Sequence, residues 1–138
     1  MTKLFDLLLQ SASAALPFLE RETGAMPAGH NGPYLHAETP VRNTSHWLIT
    51  FLKAHAISDQ EEYAEAARRA AAYLRSDTAR PRGATFWHRR DSRQDACNGL
   101  IGQAWTIEAL ASAAARFPSQ GLQRLGEEVF LLHPFDET

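Results

Sequence analysis

A loop of irregular sequence carries the side chains best suited to chemistry on a sugar. Trp87 offers an aromatic face, Arg89 a cation, and Asp91 and Asp95 two carboxylates. Sugar-active sites combine aromatic rings, which stack on the apolar side of a pyranose, with carboxylates and amides that bond its hydroxyls. Proton transfer requires a tuned carboxylate or histidine. The catalytic candidates are therefore Asp91, Asp95 and His88.

Further side chains can supply aromatic surface, positive charge or amide groups to a sugar. They lie in the same loop, in the segment before an earlier helix, and on a late apolar helix. The substrate-binding candidates are Trp87, Arg89, Arg42, His46, Asn98 and Gln103. Asp91 and Asp95 are four residues apart in a loop, and this spacing alone predicts neither a retaining nor an inverting geometry.

Each of these residues also has a structural interpretation. Asp95 and Asn98 can cap the helix that follows, and Arg89 can form ion pairs with the nearby aspartates on the surface. Trp87 can plug the end of a helix bundle. Gln103 shares a helix face with Thr106, where the two either line a cavity or bond to a neighbouring loop. The sequence leaves these alternatives open.

No metal or cofactor is expected. The six histidines show no H-E-x-x-H motif and no paired i, i+4 arrangement on a helix. The lone Cys97 excludes an internal disulfide and a multi-cysteine zinc site, and no motif around it marks a nucleophile. A single unpaired cysteine is typical of a reducing compartment, so we expect a cytoplasmic protein.

Charge and hydropathy narrow the range of partners. The 14 basic and 16 acidic residues nearly cancel, and no basic stripe with interleaved aromatics is present, so no nucleic acid is expected. No run of about 18 apolar residues exists, so no membrane partner is expected. The start of the chain has apolar residues at helical spacing, interrupted by Asp6 and Gln10, which favours an amphipathic helix over a signal peptide.

The chain reads as a single all-α domain, residues 1–138, with about five helices in stacked α/α hairpins. Its parts are a leading helix (1–20), a long loop (21–42), hairpin one (43–75), a rim loop (76–97) and hairpin two (98–132).

Local signals predict how these elements begin and end. The Asn43, Thr44 and Ser45 cluster is typical of a helix N-cap, and Ser58 with Glu61 matches a capping box for the next helix. Residues 99–117 are apolar almost all round, which predicts a helix buried on every side. Residues 85–88 are compatible with a short strand.

The two hairpins are related by an internal repeat. Placing Trp47 on Trp105 gives an offset of 58 residues, with the more apolar helix first and the more charged helix second in each copy. Such a repeat is typical of layered α/α arrays. In a layered array the apolar helices form the inner layer, which places residues 34–45 and 86–98 on one rim.

The sequence resembles successive hairpins of the six-hairpin (α/α)6 toroids. The matching stretches, within residues 42–132, are N-T-S-H-W at 43–47, E-Y-A-E-A-A at 62–67, A-A-Y-L at 71–74 and N-G-L-I-G-Q-A-W at 98–105. That superfamily includes unsaturated glucuronyl hydrolases and N-acylglucosamine 2-epimerases. A complete toroid has about twelve helices, so five imply a partial or truncated toroid, or a small protein that closes its array by association.

Two functions follow as hypotheses, and whether the chain is an enzyme stays open. The resemblance implies a carbohydrate-active module that binds or processes an acidic or acetylated sugar at the rim loops, with Arg42 and Arg89 as carboxylate partners. The alternative is a non-catalytic α/α-repeat scaffold or protein-interaction module. Uncovered inner faces predict a homo-oligomer, a dimer in the simplest case.

Overall fold

A computed structural model describes residues 3–133 and confirms an all-α fold with five helices. The strands are two residues each, His30–Asn31 and His36–Ala37, paired antiparallel. Three short 3-10 helices cover Leu16–Phe18, Gly32–Tyr34 and Pro118–Gln120. The α-helices are α1 (Leu4–Ala15), α2 (Val41–Ser58), α3 (Glu61–Leu74), α4 (Gly99–Ala114) and α5 (Leu122–Leu131).

The helices pack as two hairpins that meet through their first members. Helix α2 packs against both α3 and α4, α4 also packs against α5, and α1 lies on α2. The largest fully buried apolar side chains are Phe51, Phe86, Leu48, Leu74 and Leu110. One hydrophobic core therefore spans both hairpins and includes Phe86 from the loop between them.

Helix α2 begins earlier than predicted. Its N-cap is Pro40, so Asn43 and Thr44 lie inside the first turn rather than before it. Asn43 Nδ2 donates to the Pro27 carbonyl at 2.7 Å, and Thr44 Oγ1 accepts from the Met26 N–H at 2.9 Å. These polar side chains hold the long loop against α2 instead of capping the helix.

The predicted capping box before α3 is wrong. Ser58 is the last residue of α2, and its hydroxyl donates back to the Ala54 carbonyl. Asp59 follows with φ 56°, a left-handed conformation that ends the helix, and Gln60 is the N-cap of α3 without a side-chain cap bond. Serine side chains bond carbonyls one turn back when they lie in a helix, which removes them as caps.

Helix α4 is not buried on every side. Leu100 is 63% exposed and Ile101 57% exposed, because the described chain packs neighbours only against its other faces. The helix ends at Ala114, earlier than predicted.

The other predicted boundaries also shift. Residues 85–88 form no strand, and the nearest β contact is an isolated bridge between Glu38 and Arg89. Helix α1 ends at Ala15, where the chain tightens into the 3-10 turn that contains Pro17. The predicted start of this helix at Thr2, and the chain after His133, lie outside the described residues.

Candidate functional site

The two predicted rim segments lie side by side. Thr39 donates its N–H to the His88 carbonyl at 2.8 Å, and Arg90 donates to the Ala37 carbonyl at 3.2 Å, on either side of the Glu38–Arg89 bridge. Residues separated by about fifty positions in sequence are thus joined backbone to backbone.

An open groove of about 810 Å³ lies within the second of these segments, along residues 81–97. A volume of this size is in the range of small-molecule sites. Trp87 lies on its wall with 36% of its surface exposed, and its indole N–H donates to the Arg89 carbonyl at 2.5 Å. The ring is therefore fixed in orientation while part of it stays available to solvent. The charged residues on the wall are Arg82, Arg89, Arg90, Asp91 and Asp95.

Positive charge predominates in the groove. Asp91 is paired with Arg93, whose guanidinium contacts both carboxylate oxygens at 3.1 and 2.8 Å. Arg89 makes only one long side-chain hydrogen bond, to Gln94 at 3.4 Å, and its buried Nε has no hydrogen-bond partner among the described residues. Arginine presents five donors in a planar fork. Arg89 therefore has guanidinium donors that no described residue accepts, although its Nε is shielded from solvent.

The two aspartates are held in the charged form. Hydrogen bonds from Arg93 lower the pKa of Asp91 to about 2. The Asp95 carboxylate accepts bonds from the Cys97 thiol at 2.9 Å, the Cys97 N–H at 3.1 Å and the Gly99 N–H at 2.5 Å, and these bonds lower its pKa. Asp95 thus holds the turn that leads into α4. A general acid must be protonated at the working pH, and neither carboxyl group is protonated near neutral pH.

His88 lies beneath the groove rather than in it. Its side chain is fully buried, and burial, followed by the positive charge of Arg42, lowers its pKa to about 4. Its Nε2 is 3.4 Å from the Thr106 hydroxyl, which is 3.2 Å from the Ser45 hydroxyl. The neutral imidazole therefore joins a buried polar chain between α2, α4 and the loop.

Gln103, predicted to contact substrate, faces the protein interior and has no exposed surface in the groove. Its amide accepts from the Phe86 N–H at 2.8 Å and donates to the carbonyls of Phe86 and Cys97 at 3.0 and 2.8 Å. The residue is fully buried. Of the interpretations of Gln103, the structure agrees with hydrogen bonding to a neighbouring loop, since the amide fixes both ends of the segment that forms the groove.

Asn98 also has a structural setting. It is the N-cap residue of α4 with φ 58°, followed by Gly99 with φ 60°, and its side chain makes no capping bond. Asparagine and glycine are the residues that tolerate this left-handed conformation best. The chain therefore enters α4 through a tight turn that Asp95, rather than Asn98, caps.

Arg42 and His46 lie on a different surface, which we call the α2–α4 face and define by Glu38, Arg42, His46 and Trp105. Arg42 Nη1 donates to Glu38 Oε1 at 2.9 Å, and its Cζ lies 4.9 Å from the centre of the Trp105 ring. The His46 and Trp105 rings are 5.5 Å apart. Burial and the Arg42 charge lower the pKa of His46, against the opposing effect of the Glu108 and Glu38 carboxylates.

Eight of the nine sequence-predicted residues are thus divided among three places, and the ninth, Asn98, is the N-cap residue of α4. Trp87, Arg89, Asp91 and Asp95 line the groove. Arg42 and His46 belong to the α2–α4 face, while His88 and Gln103 are buried. Trp105 was not among the candidates, although the predicted repeat aligns it with Trp47 and so drew attention to this position. Glu38 lies in the predicted rim segment 34–45, but its ion pair with Arg42 becomes visible only in the fold.

Two general features of the described residues bear on the class of site. Residues 3–133 contain no group of three or more histidine, cysteine, aspartate or glutamate side chains placed to hold a metal ion. Within the same range, no helix combines the length and the apolar character needed to span a bilayer.

Comparison with known proteins gives one curated relative. The chain is 55% identical over 135 residues to a protein of Haloferax volcanii named archaeal glycosylation protein Q. The match covers 98% of this chain and 36% of the relative, so the chain spans about a third of the relative's length. No protein-family profile and no solved structure matches the chain.

Proposed function

We propose that this chain is the sugar-binding part of an α/α-toroid protein with a role in glycosylation, and that the groove along residues 81–97 takes an acidic sugar. Trp87 provides the surface on which the pyranose ring stacks. Arg89 holds the carboxylate of the sugar, and Arg90 and Arg82 add positive charge. We place this activity in the cytoplasm, because the single cysteine of this chain, Cys97, has no second cysteine in the chain with which to form a disulfide.

The observation that carries this proposal is the pairing of charges in the groove. Asp91 is neutralised by Arg93, and Asp95 is occupied by the turn before α4, whereas Arg89 has unused donors. A concave surface with an aromatic wall and free guanidinium groups is complementary to a sugar that carries a carboxylate. An acetylated neutral sugar would leave those cations unpaired, so the charge favours the acidic one.

The name of the relative supports a role in glycosylation, and the layering of the helices supports an α/α array. The relative is named for glycosylation, which is a process that handles sugars. The five helices fall within the third of the relative that this chain spans, and an α/α toroid of about twelve helices requires a longer chain than this one. The contact of α2 with α4, each with its own hairpin partner, is the inner and outer layering expected of such an array.

Binding is better supported than catalysis by this part of the protein. A hydrolase or lyase needs a group poised to give or take a proton near the working pH. Asp91 and Asp95 are ionised and committed to other bonds, and His88 is buried and neutral. We therefore assign the groove to sugar recognition.

A scaffold function is the second candidate, and the exposed start of α4 favours it. Leu100 and Ile101 are more than half exposed next to each other. Such apolar surface is typical of an interface. On this alternative the chain self-associates, and light scattering coupled to size exclusion would give the mass of a dimer. A monomer at 100 µM, roughly the range in which weak interfaces fill, would contradict it.

The proposal is tested by ligand-observed NMR with a panel of uronic acids, N-acetylated hexosamines and neutral hexoses. We expect saturation transfer to uronic acids and its loss in Trp87→Ala. The matched control is Phe18→Ala, which removes another exposed aromatic ring far from the groove in sequence. Equal signals from all three classes, or no signal from a folded sample, would contradict an acidic-sugar site.

A further inference from the structure

The groove carries more unpaired positive charge than one carboxylate can balance. Arg82, Arg89 and Arg90 line it, and none of the three forms an ion pair among the described residues. The carboxylates on its wall are committed elsewhere, Asp91 to an arginine and Asp95 to the turn before α4. A uronic acid whose carboxylate binds Arg89 therefore leaves Arg82 and Arg90 without a counter-ion.

The turn that carries Arg82 is held in a fixed shape by another arginine. Arg80 donates from its guanidinium to the carbonyls of Gly83 and Ala84, at 2.9 and 2.6 Å. The Arg80 Cζ also lies 5.8 Å from the centre of the Phe86 ring. Arg80 is thus used in building the turn, whereas Arg82 is exposed on the wall of the groove.

The segment that carries Arg90 is fixed in a similar way. The Arg90 N–H donates to the Ala37 carbonyl at 3.2 Å, while the N–H groups of His88 and Arg89 donate to the Ala96 carbonyl at 2.7 and 3.1 Å. The Arg90 side chain is exposed. Both exposed arginines therefore extend from backbone that is ordered before a ligand binds, which lowers the entropic cost of binding.

The volume of the groove also exceeds that of one sugar. A hexuronic acid fills on the order of 200 Å³ at the packing density of organic crystals, whereas the groove measures about 810 Å³. A second anionic group can be accommodated beside the sugar ring. A phosphate monoester carries about two negative charges near neutral pH and three acceptor oxygens, and arginine binds it with its planar fork of donors. A phosphate can therefore balance two guanidinium groups, whereas a second carboxylate would supply one charge.

We propose that the groove binds a sugar acid with a phosphate on its anomeric carbon, and that Arg89 binds the carboxylate while Arg82 and Arg90 bind the phosphate. In a hexuronic acid these two groups are attached to the two carbons that flank the ring oxygen. They point away from each other, which leaves one face of the ring for Trp87. The inference rests on the proposed function for the carboxylate contact and deepens it, while the phosphate contact has residues of its own.

Calorimetric titration with glucuronate, glucose 1-phosphate and glucuronate 1-phosphate separates the two contacts. We expect the wild-type protein to bind glucuronate 1-phosphate about 10-fold more tightly than glucuronate. The double variant Arg82→Gln, Arg90→Gln should abolish that gain. It should leave the Kd for glucuronate within about 2-fold at about 0.15 M salt, which screens charges that do not touch the ligand. Lys53→Gln, which removes one exposed positive charge from α2, is the control and should keep the gain.

A fourth probe, UDP-glucuronate, distinguishes the two sources of an anomeric phosphate. If the ligand is linked through its phosphate to a nucleoside, this probe should bind at least as tightly as glucuronate 1-phosphate. If the ligand is a free sugar phosphate, the probe should bind about 10-fold more weakly. Either result, when it depends on Arg82 and Arg90, supports the phosphate contact.

The inference is overturned if the wild type gains nothing from the phosphate, if the double variant keeps the gain, or if that variant weakens glucuronate as much as glucuronate 1-phosphate. Binding of glucose 1-phosphate that depends on Arg82 and Arg90, without binding of glucuronate, would support the phosphate contact and contradict the acidic-sugar groove. Binding of glucuronate without a gain from phosphate would do the reverse. Absence of binding to every probe would overturn both.

Discussion

Gln103 on α4 binds both the N–H and the carbonyl of Phe86, at 2.8 and 3.0 Å, and so mimics a strand partner for the loop that forms the groove. A third bond, to the Cys97 carbonyl, holds the far end of the same loop. The shape of the groove therefore depends on a side chain that never reaches its surface.

Loss of the Gln103 amide should destabilise the fold. Gln103→Leu leaves buried backbone groups of Phe86 and Cys97 without partners, so we expect a loss of about 3 kcal/mol in the free energy of unfolding measured in urea. Gln123→Leu is the control, because Gln123 is exposed and bonds only Glu127, and it should cost less than about 0.5 kcal/mol. Equal losses in the two variants would contradict the bridging role of Gln103.

The Arg42–Glu38 pair should matter for stability more than a surface pair. In Arg42→Met the Glu38 carboxylate stays buried without its ion-pair partner, and we expect a loss of about 2 kcal/mol in urea denaturation. Arg124→Met breaks a pair with Glu128 whose side chains are 85% and 49% exposed, so its cost should be below about 0.5 kcal/mol. If Arg42→Met is as stable as Arg124→Met, the carboxylate of Glu38 is not buried in solution.

Stability should depend on pH through His88. Its pKa is about 4 in the folded protein against an ordinary value of 6.5, so the unfolded chain binds the proton more readily between these values. The contribution of this group to the free energy of unfolding is therefore constant above pH 6.5. It falls as the pH is lowered from 6.5 to 4 and levels off below pH 4, and the stability lost over this range is about 3 kcal/mol.

The variant His88→Met isolates this contribution, because all other titrating groups stay in place. Unfolding in urea at pH 7.5 and pH 4.5 should show the wild type losing more stability than the variant, by about 2 to 3 kcal/mol. The same loss in both proteins would mean that the imidazole of His88 is accessible to water when folded.

Two buried glycines on helices should respond differently to a methyl group. A Cβ at Gly102 would lie 2.7 Å from the Cys97 carbonyl oxygen and 2.8 Å from Asn98 Cβ, which forces the turn before α4 to move. At Gly126 the nearest atoms are 3.8 Å away, an ordinary contact. We expect Gly102→Ala to lower the melting temperature and Gly126→Ala to leave it unchanged or raise it, since alanine favours a helix by about 1 kcal/mol. The reverse order would contradict the packing of the loop on α4.

The sequence was sufficient for the helices and for the loop that carries the groove, because both depend on local patterns. The stripe of small and aromatic residues on α3 is buried as its periodicity predicts, from Tyr63 to Leu74. The partners of polar residues were not predictable. Thr44 reads as a helix cap, yet it bonds a residue 18 positions earlier, and only the folded loop brings that residue close.

In the candidate site, too, the residue types were predictable and their contacts were not. The repeat predicted from the sequence places Trp47 and Trp105 in equivalent positions, but one is packed on the core and the other lies beside Arg42. Neighbouring elements determine this difference, and the periodicity of a single helix does not record it. Likewise, Arg89 forms no ion pair among the described residues, whereas Arg93, four residues later, pairs with Asp91, and this difference depends on the turn of the loop.

The affinity of the groove for glucuronate relative to glucose, measured by NMR titration of wild type and Arg89→Gln, tests the central claim most directly. We expect glucuronate to bind at least about 10-fold more tightly than glucose to the wild type, and Arg89→Gln to remove that preference, because the guanidinium supplies the carboxylate contact. Arg75→Gln, an exposed change at the end of α3, should keep it. Equal affinity of the wild type for the two sugars, or an unchanged preference in Arg89→Gln, would contradict an acidic-sugar groove.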